Sequence, residues 1–157
     1  MTNTLQAKPV RASRITIAQL MHPEHANLLG SVHGGWIMKL VDEAGALTCM
    51  RHAQHRVVTV AIDSMTFRQP IRIGDLIILN AEVTYVGRTS LEAEVQVLAE
   101  NPLTGERTHT NTAYLVYVAL DAQGKPTAVP PLRSETESEK QKAMEASERQ
   151  QRRLKQK

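Results

Sequence analysis

The chain has 157 residues, with 19 Lys or Arg against 16 Asp or Glu and a formal net charge of +3. That is the size of one domain able to bury a single core, and no apolar run reaches the length of a membrane span. A lone cysteine, Cys49, excludes an internal disulfide and fits the reducing cytoplasm, and the sparse aromatics (Trp36, Phe67, Tyr85, Tyr114 and Tyr117) exclude a base-stacking platform, so neither membrane nor nucleic acid is an expected partner.

In chain order, Met1 to Val10 lacks a continuous apolar stretch and reads as an N-terminal extension, not a signal peptide. Arg14 to Met21 predicts a strand, with Ile15 and Ile17 alternating against Thr16 and Ala18. A loop follows from His22 to Val32, marked by Pro23 and Gly30, and then a helix from Gly34 or Gly35 to His52. From there the pattern is β. Val57 to Met65, Leu76 to Val86, Leu91 to Ala99 and Thr108 to Leu120 are strand-like runs. In the third of these, Leu91, Ala93, Val95, Val97 and Ala99 share one face, and Glu92, Glu94, Gln96 and Leu98 share the other. Pro70 to Gly74, Gly87-Arg88 and Asn101 to Gly105 carry the turn chemistry between them. A strand, a long helix and four more strands joined mostly by short hairpins predict an α+β layer, an antiparallel five-stranded sheet with one helix on a face.

Past Pro130-Pro131 the character changes. Ser134-x-x-Glu137 reads as a capping box that opens a charged tail helix. From Ser134 to Lys157 stand seven Lys or Arg and five Glu, with only Ala143, Met144, Ala146 and Leu154 to bury. Such a helix lies on the domain or projects into solvent.

The chemistry concentrates at Asn27-x-x-Gly30-x-x-His33-Gly34-Gly35, where an extended segment turns into the central helix. Free backbone N–H groups at a helix start bind developing negative charge, and adjacent glycines allow a ligand to come close. A tight turn alone would also account for the glycine pair. On a helical wheel Trp36, Ile37, Leu40, Ala44 and Leu47 form a stripe that predicts contact with the sheet. The opposite side carries Met38, Asp42, Gly45, Ala46 and Cys49, so that side needs a cover, and a curled sheet plus another subunit is the expected one. Asp42 there is a candidate base or nucleophile, or else a solvated aspartate beside Lys39 and Glu43.

These residues resemble a known family. Asn-x-x-Gly-x-x-His-Gly-Gly followed by an aspartate seven residues later is similar to the hot-dog-fold acyl-CoA thioesterases, nearest the cytosolic (brain-type) branch. Gly34 to Gly45, Arg51-His52, Val57 to Asp63, Phe67, Gly74-Asp75, Tyr117-Val118 and Val129-Pro-Pro-Leu132 extend the likeness over roughly Arg11 to Leu132. The resemblance implies a hot-dog domain over residues 11–125, with residues 1–10 as an extension and 126–157 as the charged tail helix. It implies hydrolysis of fatty acyl-CoA to free acid and CoA, a homodimer as the minimal unit, and a trimer of dimers. Asp42 of one subunit would face the glycine turn of the other as general base or nucleophile. Gly34 and Gly35 would supply the oxyanion hole, and Asn27 would position water or thioester. His33, Arg51 and the hairpin residues Arg88, Thr89 and Ser90 would meet the substrate, the cations on the CoA phosphates. No cofactor is implied, since CoA is part of the substrate.

Other signals lead elsewhere or nowhere. The His22/His25 and His52/His55 spacings lack further ligands, so no metal is expected. No Gly-x-Ser-x-Gly elbow, P-loop or dinucleotide fingerprint occurs. An acyl-thioester dehydratase or hydratase of the same fold usually relies on a helix histidine, which this helix interior lacks. A non-catalytic acyl-CoA-binding module is the remaining alternative, and it predicts binding without turnover.

Overall fold

The computed structural model describes residues 5–63 and 65–157; residues 1–4 of the expected extension, and Ser64 in the second expected strand, lie outside that range. The elements are β1 (Lys8–Pro9), β2 (Ile15–Leu20), α1 (Gly34–Ala53), β3 (Arg56–Ile62), β4 (Leu76–Val86), β5 (Ser90–Glu100), β6 (Arg107–Leu120), β7 (Leu132–Arg133) and α2 (Glu137–Lys155). Five strands form one antiparallel sheet in the order β2-β4-β5-β6-β3. β4 has the limits its alternation predicts, and β5 and β6 begin one residue early. β3 stops at Ile62, short of the expected Met65.

Helix α1 touches all five strands. Five strands at about 4.8 Å spacing span roughly 19 Å, wider than a helix of about 10 Å, so the sheet must curl to reach it. Extra residues in β3 (Val60), β4 (Thr84) and β6 (Thr110) shift the register and supply local bends. The core between them is aliphatic, with Ile37, Leu40, Val41 and Ala44 of α1 against Ile77, Leu79, Val83, Leu91, Val95 and Leu115 of the sheet.

The buried stripe of α1 is rotated from the one the wheel predicts. Val41, Gly45, Thr48 and Cys49 are buried, whereas Leu47 is exposed and Trp36 only half-buried. A polar compensation and a close fit explain the rotation. The Thr48 hydroxyl donates to the Ser13 carbonyl at 2.7 Å, so a threonine can sit inside. Gly45 lies against the fully buried Tyr117, and a Cβ there would stand 2.4 Å from its hydroxyl. Met38 and Leu47 on α1 and Val58, Val60 and Ile62 on the edge strand β3 remain exposed.

The tail helix α2 lies on the sheet, on the face away from α1. Its Lys142, Arg149 and Arg153 reach Glu82, Glu92 and Glu94 of β4 and β5. The expected capping box at Ser134 and Glu137 falls two residues early. Thr136 is the cap, accepting from the Glu139 N–H at 3.1 Å, while the Glu139 carboxylate takes the Glu135 N–H at 2.7 Å. Lys8 and Pro9 pair in parallel with Leu132 and Arg133, and Lys8 Nζ donates to the His52 carbonyl at 2.8 Å. Among the described residues no helix is long and apolar enough to cross a membrane.

Candidate active site

The approach to α1 is built by short-range bonds. Asn27 Oδ1 accepts the N–H of Leu29 at 2.9 Å and of Ser31 at 3.2 Å, closing a turn that Gly30 completes at φ +84°. The Asn27 Nδ2 donates to Ser31 Oγ at 3.3 Å. With its oxygen taken by the loop, the side chain faces other groups as a donor. Val32 and His33 are pinned through their N–H groups to the carbonyls of Ile71 and His25 at 2.8 Å each.

His33 is the N-cap of α1, its Nδ1 accepting the Gly35 N–H at 2.8 Å. The ring lies so close that a Cβ at Gly35 would stand 2.9 Å from it. So the two expected oxyanion donors differ. Gly35 is occupied by the cap, while among the described residues nothing accepts from the Gly34 N–H. The Phe67 ring passes 3.6 Å from where a Gly34 Cβ would be.

Asp42 is half-buried in mid-helix. Its Oδ1 accepts from Thr59 Oγ1 of β3 at 2.8 Å and from the Tyr117 hydroxyl of β6 at 3.0 Å, and that hydroxyl also lies 3.0 Å from the Asp42 carbonyl. Among the described residues nothing bonds Oδ2. Burial pushes the Tyr117 phenol well above its ordinary value, reinforced by the Asp42 charge, so it stays a neutral donor. Lys39 and Glu43, the neighbours on the helix, pair with each other instead. Thr59 and Tyr117 escaped sequence reasoning, although both fall in segments that carry the resemblance. Strand alternation places a residue on the helix side but does not name its partner there.

Gly34 and Asp42 do not meet within one chain. Eight residues of α-helix separate them by about 12 Å along the axis. Asn27 bonds within its own loop, with no hydrogen bond to Asp42 among the described residues. Arg51, Arg88, Thr89 and Ser90 lie toward the C-terminal end of α1. Arg51 donates to the Arg14 carbonyl, and the Val129 N–H reaches the Arg88 carbonyl one residue before Pro130, whose carbonyl holds His52 at 2.7 Å. Arg88 is exposed at its hairpin.

The remaining candidates are quiet. Among the described residues no group of three or more His, Cys, Asp or Glu is placed to hold a metal ion. His25 is buried edge-on to Trp36 with centroids 4.6 Å apart. Burial raises the Cys49 thiol far above the thiolate range, and burial lowers the His52 imidazole.

Known proteins share this architecture. A thioesterase superfamily model matches residues 29–106. An uncharacterized acyl-CoA thioester hydrolase of Bacillus subtilis is 37% identical over 134 residues, covering 85% of this chain and 74% of its own. The mouse (Mus musculus) cytosolic acyl coenzyme A thioester hydrolase is 39% identical over 143 residues, 84% of this chain but only 38% of that longer protein. The crystal structure of an apo-hexameric acyl-CoA thioesterase superposes with a TM-score of 0.92 at 42% identity over 97% of both chains. The acyl-CoA hydrolase of Staphylococcus aureus, solved with butyryl coenzyme A, coenzyme A and coenzyme A disulfide, gives 0.88 at 33% identity, covering 96% of this chain and 92% of its own. Other structures of that hydrolase carry alanine in place of one aspartate, one asparagine and one threonine. The sheet curled around α1 is thus the hot-dog fold, and the chain belongs to the thioesterase superfamily beside the acyl-CoA thioester hydrolases.

Proposed function

We propose that the protein hydrolyses fatty acyl-CoA to free acid and CoA at sites shared between two copies of the chain. One observation carries this reading. Among the described residues, a carboxylate with one oxygen left unbonded and a helix start with one amide left unbonded occupy the same helix, about 12 Å apart. A reacting carbonyl must sit about 3 Å from both a nucleophile and an oxyanion donor. Two antiparallel copies of α1 satisfy that twice, each Asp42 serving the partner's Gly34. The exposed apolar residues Met38, Leu47, Val58, Val60 and Ile62 supply a surface for such pairing, and the edge strand β3 supplies unpaired backbone.

In this reading the thioester oxygen points at the Gly34 N–H, aided by the positive end of α1, with Gly35 and His33 shaping the turn. Asn27 donates through Nδ2. Asp42 takes a proton from water through Oδ2, or attacks the carbonyl itself to give an acyl anhydride that water then opens; both routes need the ionised carboxylate. The acyl–sulfur bond breaks, CoA leaves as thiolate and is protonated, and no cofactor takes part. Arg51, Arg88, Thr89 and Ser90 sit toward the helix C-terminus, which antiparallel pairing brings to the partner's glycine turn, as CoA phosphates require. The hexameric relatives support a trimer of these dimers, and the reduced, buried Cys49 supports a cytoplasmic setting.

A mixing experiment tests both the chemistry and the sharing. Asp42→Asn and Asn27→Ala are each expected to lose roughly 10²- to 10⁴-fold in thiol release from acyl-CoA. Co-assembled, they regain a substantial fraction of wild-type turnover, because one site per mixed dimer has both intact residues. Wild-type turnover by Asp42→Asn alone refutes the chemistry, and absence of rescue in verified mixed oligomers refutes the sharing. Acyl-CoA binding without thiol release at any chain length would instead indicate a binding module.

A further inference from the structure

The geometry points to Tyr117 as the positioning residue that fixes the Asp42 carboxylate for reaction, with Gly45 as the gap in the helix through which it reaches. This rests on the reading of Asp42 given above and adds a residue that none of the expected site groups includes.

The Tyr117 side chain is fully buried on β6, and its hydroxyl stands 3.0 Å from two atoms of one residue, the Asp42 carbonyl oxygen and Oδ1. A phenol has a single proton, so it bridges the backbone and side chain of Asp42 and holds that side chain against its own helix. Thr59 donates to the same Oδ1 at 2.8 Å. Both donors are neutral. They orient the carboxylate without pairing it with a countercharge as an Arg or Lys would. With Oδ1 occupied twice, Oδ2 is the oxygen presented to water or thioester.

Gly45 is the second observation. A Cβ at that position would stand 2.4 Å from the Tyr117 hydroxyl and 3.1 Å from two ring carbons. Glycine inside a helix is unfavourable by about 1 kcal/mol relative to alanine. Here it leaves the room in which a buried ring meets the residue one turn before. The burial that keeps the phenol protonated also keeps it a donor over the range in which a carboxylate base works. Besides Asp42, Cys49 is the titratable group that acts on the phenol, and burial keeps it a neutral thiol; Lys39 and Glu43, the charged neighbours of Asp42 along α1, are engaged with each other.

The test is the pH dependence of kcat and KM for thiol release by the wild type, Tyr117→Phe, Asp42→Asn, and wild type produced with 3-fluorotyrosine, whose more acidic phenol is the stronger donor. Tyr117→Phe is expected to lower kcat about tenfold with KM unchanged, and to move the acid limb of kcat upward. Fluorotyrosine moves that limb the opposite way. A folded Tyr117→Phe with wild-type kcat and acid limb overturns the assignment. So does a limb unmoved by fluorotyrosine, which settles the matter even if the phenylalanine variant does not fold. If Asp42→Asn is inactive while both tyrosine changes are silent, only the role of Tyr117 falls. If Asp42→Asn turns over normally, the catalytic reading falls and this inference with it.

Discussion

Glu92 is buried beneath α2 and Asp42 is half-buried on α1, and the contrast between the two carboxylates shows what would separate the reactive acid group of the proposed site from an anchoring one. Glu92 is 1% exposed and both of its oxygens are filled. Thr84 Oγ1 at 2.6 Å and Arg149 Nη2 at 2.8 Å bond Oε1, and Arg149 Nε at 3.1 Å and Arg153 Nη2 at 2.6 Å bond Oε2. Two guanidiniums neutralise it, and one of them stacks on Tyr114 at 3.6 Å. Among the described residues Asp42 has neutral donors only, Thr59 and Tyr117, crowded onto one oxygen. A carboxylate that is saturated and neutralised holds elements together. One that is oriented but left charged, with an open oxygen, can take a proton.

The sharpest way to break this contrast is to remove a cation from Glu92. Arg149→Met keeps an unbranched apolar stem and deletes the guanidinium that stacks on Tyr114 and partners a buried charge. Breaking such a pair typically costs about 3–5 kcal/mol, and the lower end applies because Arg153 stays in place. For a chain of this size that lowers the melting temperature by roughly 6–12 °C. Turnover of the folded protein stays at the wild-type level. Asp42→Asn shows the reverse, with activity lost and melting almost unmoved. Equal loss of stability in both variants would erase the distinction.

Acid sharpens it further. Burial alone would raise the Glu82 carboxyl, but Lys142 and Arg14 outweigh burial and hold it below its ordinary value of 4.5. A carboxyl with a depressed folded pKa contributes stability that is present above 4.5 and is lost as pH falls through the folded value. The α2 clamp therefore loosens in acid, not in base. Amide hydrogen exchange in α2 is expected to quicken below that pH before exchange in α1 and β5 does. Uniform protection across the chain down to global unfolding would contradict it.

Much of this was readable in the residues. The β4 strand has its predicted ends because Leu76 to Val86 is β-rich and flanked by Gly74-Asp75 and Gly87. The α1 start was visible in His33-Gly34-Gly35, and the motif around it carried the family and the candidate acid. Three features were hidden, each for a physical reason. The two-residue pair β1 and β7 joins positions too far apart, in runs too short, to leave a periodicity. The α1 stripe was misplaced because Thr48 and Gly45 are buried by specific partners rather than by apolarity. The cover on Glu92 and Glu94 had a signal of an unfamiliar kind. Lys142, Arg149 and Arg153 recur at helical spacing, so α2 is amphipathic in charge, matching the acidic outer face of β4 and β5.

The smallest effect comes from the start of the same helix. Thr136 caps α2 by accepting the Glu139 N–H at 3.1 Å, and replacing a cap of this kind with alanine typically costs about 1 kcal/mol. Part of the cap survives in Thr136→Ala, since the Glu139 carboxylate still holds the Glu135 N–H at 2.7 Å and is itself held by Arg14 at 2.9 Å. The expected drop in melting temperature is therefore about 2–4 °C at most, with thiol release unchanged. The comparison with Arg149→Met is what gives this number meaning. If α2 is fastened by carboxylates beneath it, damage at its local start is minor and damage to the Glu92 cluster is large. A Thr136→Ala variant as unstable as Arg149→Met would mean that the helix is held by its own first turn, and that Glu92 is merely tolerated under it.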